Sequence, residues 1–209
     1  MSSLGALAGH RIVPVIVIDD AGAAADLAHA LSEGGIGCAE VTFRTNAAAD
    51  AIAAMAAIEG FTVGAGTVIS SEQLHAARDA GATFVVSPGF DAGLVDETRS
   101  LGLGVLPGVA TASETMAAVN AGFDAVKFFP ADRLGGLATI RALAAPFPGI
   151  GFVPSGGVTA ATAPEYLADP AVPAVSGSWM ASRAHLEARD FATIARLSAE
   201  ATRAIGVRP

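Results

Sequence analysis

Apolar positions along the chain fall into short runs, each followed by a turn and an alanine-rich stretch with helical spacing. The β-like runs cover residues 12–18, 38–43, 61–66, 83–87, 103–106, 125–129, 151–154 and 174–176. Their spacing leaves room for one strand and one helix per unit. The intervening segments carry helix punctuation. Residues 21–34 end on Gly34-Gly35, and 46–59 open on Asn46 and stop before Gly60. Ser70 or Ser71 opens a third helix that stops at Gly81, and Asp91 opens a fourth that ends near Gly102. Thr111-Ala112-Ser113-Glu114 has the form of a capping box for a fifth, closed by Gly122. Residues 136–145, 160–167 and 190–205 complete the set, and a short extra helix over 2–8 is expected to cap the bottom.

Eight strand–helix units predict an α/β fold, a (β/α)8 TIM barrel forming a single domain over 1–209. The rival is an open doubly wound sheet of Rossmann type. It wants Gly-x-Gly-x-x-Gly after the first strand, where this chain has Asp19-Asp20-Ala21.

Composition narrows the function classes. Of 209 residues, 52% are hydrophobic and 15% charged, enough to fill a core and to leave apolar surface for a subunit partner. No apolar run approaches the ~20 residues that span a bilayer. The start of the chain lacks the basic, then long apolar pattern of a signal peptide, so a cytoplasmic location is expected. A net charge of −8 argues against a nucleic-acid surface. The single cysteine, Cys38, excludes an intrachain disulfide and a cysteine-cluster metal site, and reads as a core filler. His10, His29, His75 and His185 form no ligand motif and read as surface residues, so no metal and no cofactor is expected.

One residue breaks the apolar pattern. Lys127 is the only lysine of the chain, set in Ala125-Val126-Lys127-Phe128-Phe129-Pro130. Strand alternation sends Lys127 and Phe129 to one face with Ala125. A lysine on a buried strand is rare unless it is paired or chemically used, and an amine withdrawn from water is biased toward its neutral, nucleophilic form. A coding preference for arginine would explain the scarcity of lysine, but not the place of the one that remains.

In a barrel, function belongs at the C-terminal ends of the strands. There the second strand offers Glu40, Thr42 and Arg44, which alternation places on one face; a structural ion pair is the alternative for Glu40 and Arg44. Thr67 follows Gly64-Ala65-Gly66 and could instead cap a helix. Pro88 and Pro107-Gly108 follow the fourth and fifth strands. Ser155-Gly156-Gly157 and Gly177-Ser178-Trp179 follow the seventh and eighth, where barrels often hold a phosphate, although paired glycines are also ordinary turn residues.

Taken together, these motifs resemble those of the 2-keto-3-deoxy-6-phosphogluconate and 4-hydroxy-2-oxoglutarate aldolases. The resemblance runs through Val13-Pro14-Val15-Ile16, Glu40-Val41-Thr42-Phe43-Arg44-Thr45, Gly64-Ala65-Gly66-Thr67-Val68 and Ser87-Pro88-Gly89. It continues in Pro107-Gly108-Val109-Ala110-Thr111, Lys127-Phe128-Phe129-Pro130-Ala131, Ser155-Gly156-Gly157-Val158 and Gly177-Ser178-Trp179. It implies a cytoplasmic class I aldolase, usually a homotrimer, acting on 2-keto acid and sugar-phosphate substrates without a cofactor. On that resemblance Lys127 forms the Schiff base and Glu40 shuttles protons. Arg44 and Thr67 hold the pyruvoyl carboxylate, Phe129 and Pro88 line the pocket, and Ser155 lies near the middle carbons of the substrate. Gly156, Gly157, Gly177 and Ser178 belong to the phosphate end.

Two positions depart from the commoner family pattern: Ser155 where many members have threonine, and Ser176 where many have glycine. The sugar therefore stays open between the gluconate compound and its galactonate epimer, with the Ser155 hydroxyl leaning toward the former. Two other readings are a phosphate-binding barrel without catalysis, disfavoured by the presence of both Lys127 and Glu40, and a metal-dependent isomerase or aldolase, disfavoured by the scattered histidines.

Overall fold

The computed structural model describes residues 5, 7 and 9–206. Strands and helices alternate along it. The strands are β1 (Ile12–Ile16), β2 (Cys38–Thr42), β3 (Thr62–Gly66), β4 (Phe84–Val86), β5 (Gly104–Leu106), β6 (Gly108–Val109), β7 (Ala125–Phe128), β8 (Gly151–Pro154) and β9 (Val175–Gly177). The helices are α1 (Ala24–Glu33), α2 (Ala48–Ala56), α3 (Ser71–Asp79), α4 (Ala92–Ser100), α5 (Ala112–Asn120), α6 (Gly136–Ala144), α7 (Ala163–Leu167), α8 (Arg183–Glu187) and α9 (Phe191–Ala204). The expected helix over 2–8 lies outside the described residues, apart from Gly5 and Leu7.

All strand pairs are parallel. One sheet runs in the order β5-β4-β3-β2-β1-β9 and a second in the order β6-β7-β8. Pro107 divides what the sequence treats as one strand end, because a proline nitrogen cannot donate to a ladder. β5 on its near side pairs with β4, and β6 beyond it pairs with β7. On the other side an isolated parallel bridge joins Ser155 to Ser176.

Side-chain alternation separates two apolar layers. Ile16, Val41, Val126, Phe128 and Phe152 are fully buried. The Phe128 and Phe152 rings meet edge to face, with centroids 6.5 Å apart, a favourable aromatic geometry. Within the sheet, large and small residues complement each other: a Cβ on Gly64 would overlap the ring of Phe84, its register partner.

The helix punctuation is mostly as expected. Ser70, Asp91 and Thr111 cap α3, α4 and α5, and Thr111 with Glu114 forms the full capping box. Asn46 does not cap α2, which begins after Ala47 without a side-chain cap. Helix α8 was absent from the sequence expectations. Ser182 caps it, but unlike the equally short α7 its five residues have no proline in the first turn. Cys38 is a core filler, its thiol facing the Ile12 carbonyl at 3.4 Å. Of the four histidines His29 is exposed. The His75 side chain is also 44% exposed, whereas His10 and His185 are half-buried.

Candidate active site

Lys127 and Glu40 meet inside the fold. They come from β7 and β2, which are not neighbours in either sheet, yet Nζ stands 3.2 Å from Oε1. The lysine side chain keeps 5% of its exposure and the glutamate none. The ring of Phe129 lies 5.3 Å from Nζ, within the range of a cation–π contact. A buried pair of this kind carries a large desolvation cost, which offsets much of the attraction between its charges.

The surrounding backbone is cut to fit the pair. A Cβ on Gly66 would overlap Oε1 of Glu40, so only glycine at that point of β3 leaves room for the carboxylate. Thr67 follows with φ +57°, a left-handed conformation that is strained for a β-branched residue and fixes how the hydroxyl leaves the strand. Thr67 caps no helix; Ser70 has that role. On the other flank, Gly108 is the register partner of Lys127, and a Cβ there would overlap the backbone of Pro88. The Pro88-Gly89 turn, tied by the Ser87 hydroxyl donating to the Gly89 carbonyl at 2.7 Å, therefore packs beside the lysine.

Phe129 connects the pair to the paired glycines. A Cβ on Gly156 would stand 3.2 Å from its ring, and both Gly156 and Gly157 have positive φ, +89° and +82°. That turn is held by the Ala131 amide donating to Ser155 at 2.8 Å and the Asp132 amide donating to Gly156 at 3.0 Å. Ser155 is buried, and Gly177 packs so closely under the Trp179 ring that a Cβ would overlap it.

Arg44 stands apart from the expected geometry. β2 ends at Thr42, and the Arg44 amide donates back to the Thr42 carbonyl at 2.8 Å, so strand alternation does not carry through to the arginine. Its side chain is exposed and forms no ion pair among the described residues. Arg44 and Ser178 instead line one cavity of about 700 Å³ at the mouth, together with Val15, Asp19, Asn46 and Arg183. Neither Lys127 nor Glu40 lines that cavity, but Val15 is the register partner of Glu40, so the two regions share a wall. Arg183 is held by Asp19 at 2.8 Å and Glu187 at 3.2 Å. Sequence reasoning passed over Asp19 and Arg183, although both follow the ends of strands, where function was expected. Thr42 is buried, its hydroxyl donating to the Ile16 carbonyl at 2.9 Å.

Among the described residues no group of three or more histidine, cysteine or carboxylate side chains could hold a metal ion. No helix among them is long and apolar enough to cross a membrane.

Known proteins resemble this chain in sequence and in fold. A family model described as KDPG and KHG aldolase matches residues 5–197. A 2-dehydro-3-deoxy-phosphogluconate aldolase of Treponema pallidum is 44% identical over 198 residues, covering 94% of each chain. The crystal structure of a 2-keto-3-deoxy-6-phosphogluconate aldolase from Zymomonas mobilis superposes with TM-score 0.90 at 39% identity, covering 96% of each chain. That of the Legionella pneumophila KDPG aldolase, with pyruvate captured as a covalent carbinolamine, superposes with TM-score 0.91 at 35% identity, covering 95% of this chain and 97% of that one. On sequence and fold together, the chain belongs to the KDPG and KHG aldolase family.

Proposed function

We propose that the protein is a cytoplasmic class I aldolase that reversibly cleaves 2-keto-3-deoxy-6-phosphogluconate to pyruvate and glyceraldehyde 3-phosphate. The same site would cleave 4-hydroxy-2-oxoglutarate to pyruvate and glyoxylate, because the pyruvoyl half is what it grips. The observation that carries the reading is the buried contact of 3.2 Å between Lys127 Nζ and Glu40 Oε1.

In this mechanism the neutral Lys127 amine adds to the C2 carbonyl, giving a carbinolamine. Glu40 delivers a proton to the departing hydroxyl, water leaves, and a protonated imine remains. Glu40, now a carboxylate, takes the proton of the C4 hydroxyl. The C3–C4 bond breaks, the aldehyde leaves, and its bonding electrons pass into the imine to give an enamine. Glu40 returns the proton to C3; water then adds to the protonated imine, and the surplus proton restores the Glu40 acid as pyruvate and the neutral amine are released. Each step needs an acid or base within hydrogen-bond reach, and the Lys127–Glu40 distance supports Glu40 in that part at the amine.

The other residues divide between the ends of the substrate. Arg44 offers a planar fork to the carboxylate, with Thr67 beside it. Phe129 and Pro88 wall the reacting carbons, and Ser155 faces the middle hydroxyls. Gly156, Gly157, Gly177 and Ser178 take the phosphate through backbone amides and a hydroxyl.

The sheet closing as a single-domain (β/α)8 barrel also belongs to this proposal, and the strand registers support it. Glu40 is in line with Gly64 and Phe84, and two residues beyond Phe84 is Val86. Val86 is in line with Leu106, and two beyond that is Gly108, the partner of Lys127. Lys127 is in line with Val153, and two beyond that is Ser155, the partner of Ser176. Ser176 is in line with Val13, and two beyond that is Val15, the partner of Glu40. Four such steps make one circuit with a total offset of eight residues, the shear of a (β/α)8 barrel. Glu40, Val86, Lys127 and Ser176 then form one layer from alternate strands.

The test is a coupled assay of pyruvate release from 2-keto-3-deoxy-6-phosphogluconate, its C4 epimer and 4-hydroxy-2-oxoglutarate, each with and without a chelator. The proposal expects release from the first, favoured over its epimer and indifferent to the chelator. No release from any substrate, or activity abolished by the chelator, would refute it.

A further inference from the structure

The layer that holds the lysine and the glutamate contains one more polar residue, and it carries no role so far. Ser176, on β9, is fully buried, and its Oγ has no hydrogen-bond partner among the described protein groups. Glu40 has the same deficit at Oε2, the carboxylate oxygen not bonded to Lys127. A buried donor and a buried acceptor left unpaired are costly. Here the two orphans belong to adjacent members of one four-residue layer, whose remaining flank is the apolar Val86. A water between a hydroxyl and a carboxylate satisfies both and fits such a polar corner.

We propose that Ser176 is a positioning residue for Glu40: through one buried water its hydroxyl holds Oε2, fixing the carboxylate for proton transfer. Serine Oγ donates to the water, and the water donates to Oε2. Oε1 is left directed at Lys127 and the substrate carbons. The role acts through Glu40 and does not touch the lysine, so it predicts slower proton transfer with an unchanged equilibrium yield of imine. This inference rests on the Schiff-base reading above.

Pyruvate alone separates the two steps. Borohydride trapping after equilibration reports the extent of imine, while the rate at which the methyl signal is lost in deuterated water reports removal of a C3 proton to the Glu40 carboxylate and its replacement by deuterium. For Ser176→Ala we expect trapping within about twofold of the parent and methyl exchange about tenfold slower, the worth of one hydrogen bond to a charged group. Ser176→Thr, which restores a hydroxyl, should recover exchange to within about threefold.

Exchange in Ser176→Ala at the parent rate would overturn the proposal, as would equal losses in Ala and Thr, which mark a packing role. If Ser176→Ala fails to fold, a high-resolution crystal structure of the parent decides. Water density within hydrogen-bond distance of both Oγ and Oε2 supports the proposal, and none refutes it. Failure of the parent itself to form any adduct would instead remove the Schiff-base reading, leaving the crystallographic test of Ser176 intact.

Discussion

Gly66 sets where the Glu40 carboxylate can stand. A methyl group there would overlap Oε1, and a packed interior has little room to yield. Gly66→Ala should therefore lower kcat by about 10²-fold, the scale of a displacement of roughly 1 Å. It should also cost about 1–3 kcal/mol of stability from overpacking. Steady-state kinetics beside a denaturant melt check both. Glu40→Gln keeps the shape and loses the proton, so kcat should fall by about 10²–10⁴-fold with little change in the melt. A lone buried thiol gives a different prediction. Burial pushes the Cys38 thiol up to about 12. It should ignore disulfide reagents at pH 8 in the native protein and react once the chain is unfolded. Reaction of the native protein would contradict the burial.

The helices show what a sequence can carry. Ser70, Asp91 and Thr111 were readable because a cap has a local chemical signature. At α5, burial raises the Glu114 carboxyl, and this is outweighed by the Ala110 amide at 2.8 Å together with the Thr111 hydroxyl and amide at 2.8 and 2.9 Å. The net effect is below the ordinary value. Because the folded state holds the carboxyl low, its stabilisation is complete above the unfolded value of about 4.3. It is lost as pH falls through the lower, folded value. Glu114→Ala should therefore cost about 1 kcal/mol at pH 7. The gap between variant and parent should close toward pH 3 in thermal melts. Arg44 was misplaced for the converse reason. Alternation holds only while the strand lasts, and β2 ends two residues earlier, in a turn whose geometry no periodicity announces. Helix α8 is as short as α7 but lacks the proline that marks the first turn of α7, so less in the sequence announces it.

In the whole molecule, most residues of the candidate site were legible once function was sought at the strand ends. Lys127 stood out because it is alone in an apolar strand, and Glu40 because it is an acid in another. Their contact at 3.2 Å was not legible, since it depends on the curvature of the sheet and not on any local pattern. Ser176 shows the same limit. Its proposed place beside the pair rests on the registers around the sheet, which no single segment encodes. For assembly, Ile69, Met116 and Val119 leave large apolar side chains exposed. The homotrimer implied by the family resemblance would cover apolar surface of this kind, and sedimentation should give three times the chain mass; a monomer at micromolar concentration would contradict that proposal.

The most direct measurement is covalent capture at the lysine. The protein is incubated with pyruvate, reduced with borohydride, weighed intact and mapped by peptide, alongside Lys127→Arg. The account predicts one pyruvate-derived adduct per chain, located on the peptide containing Lys127 and absent from the variant. An unmodified chain, or an adduct that persists in Lys127→Arg, would contradict it.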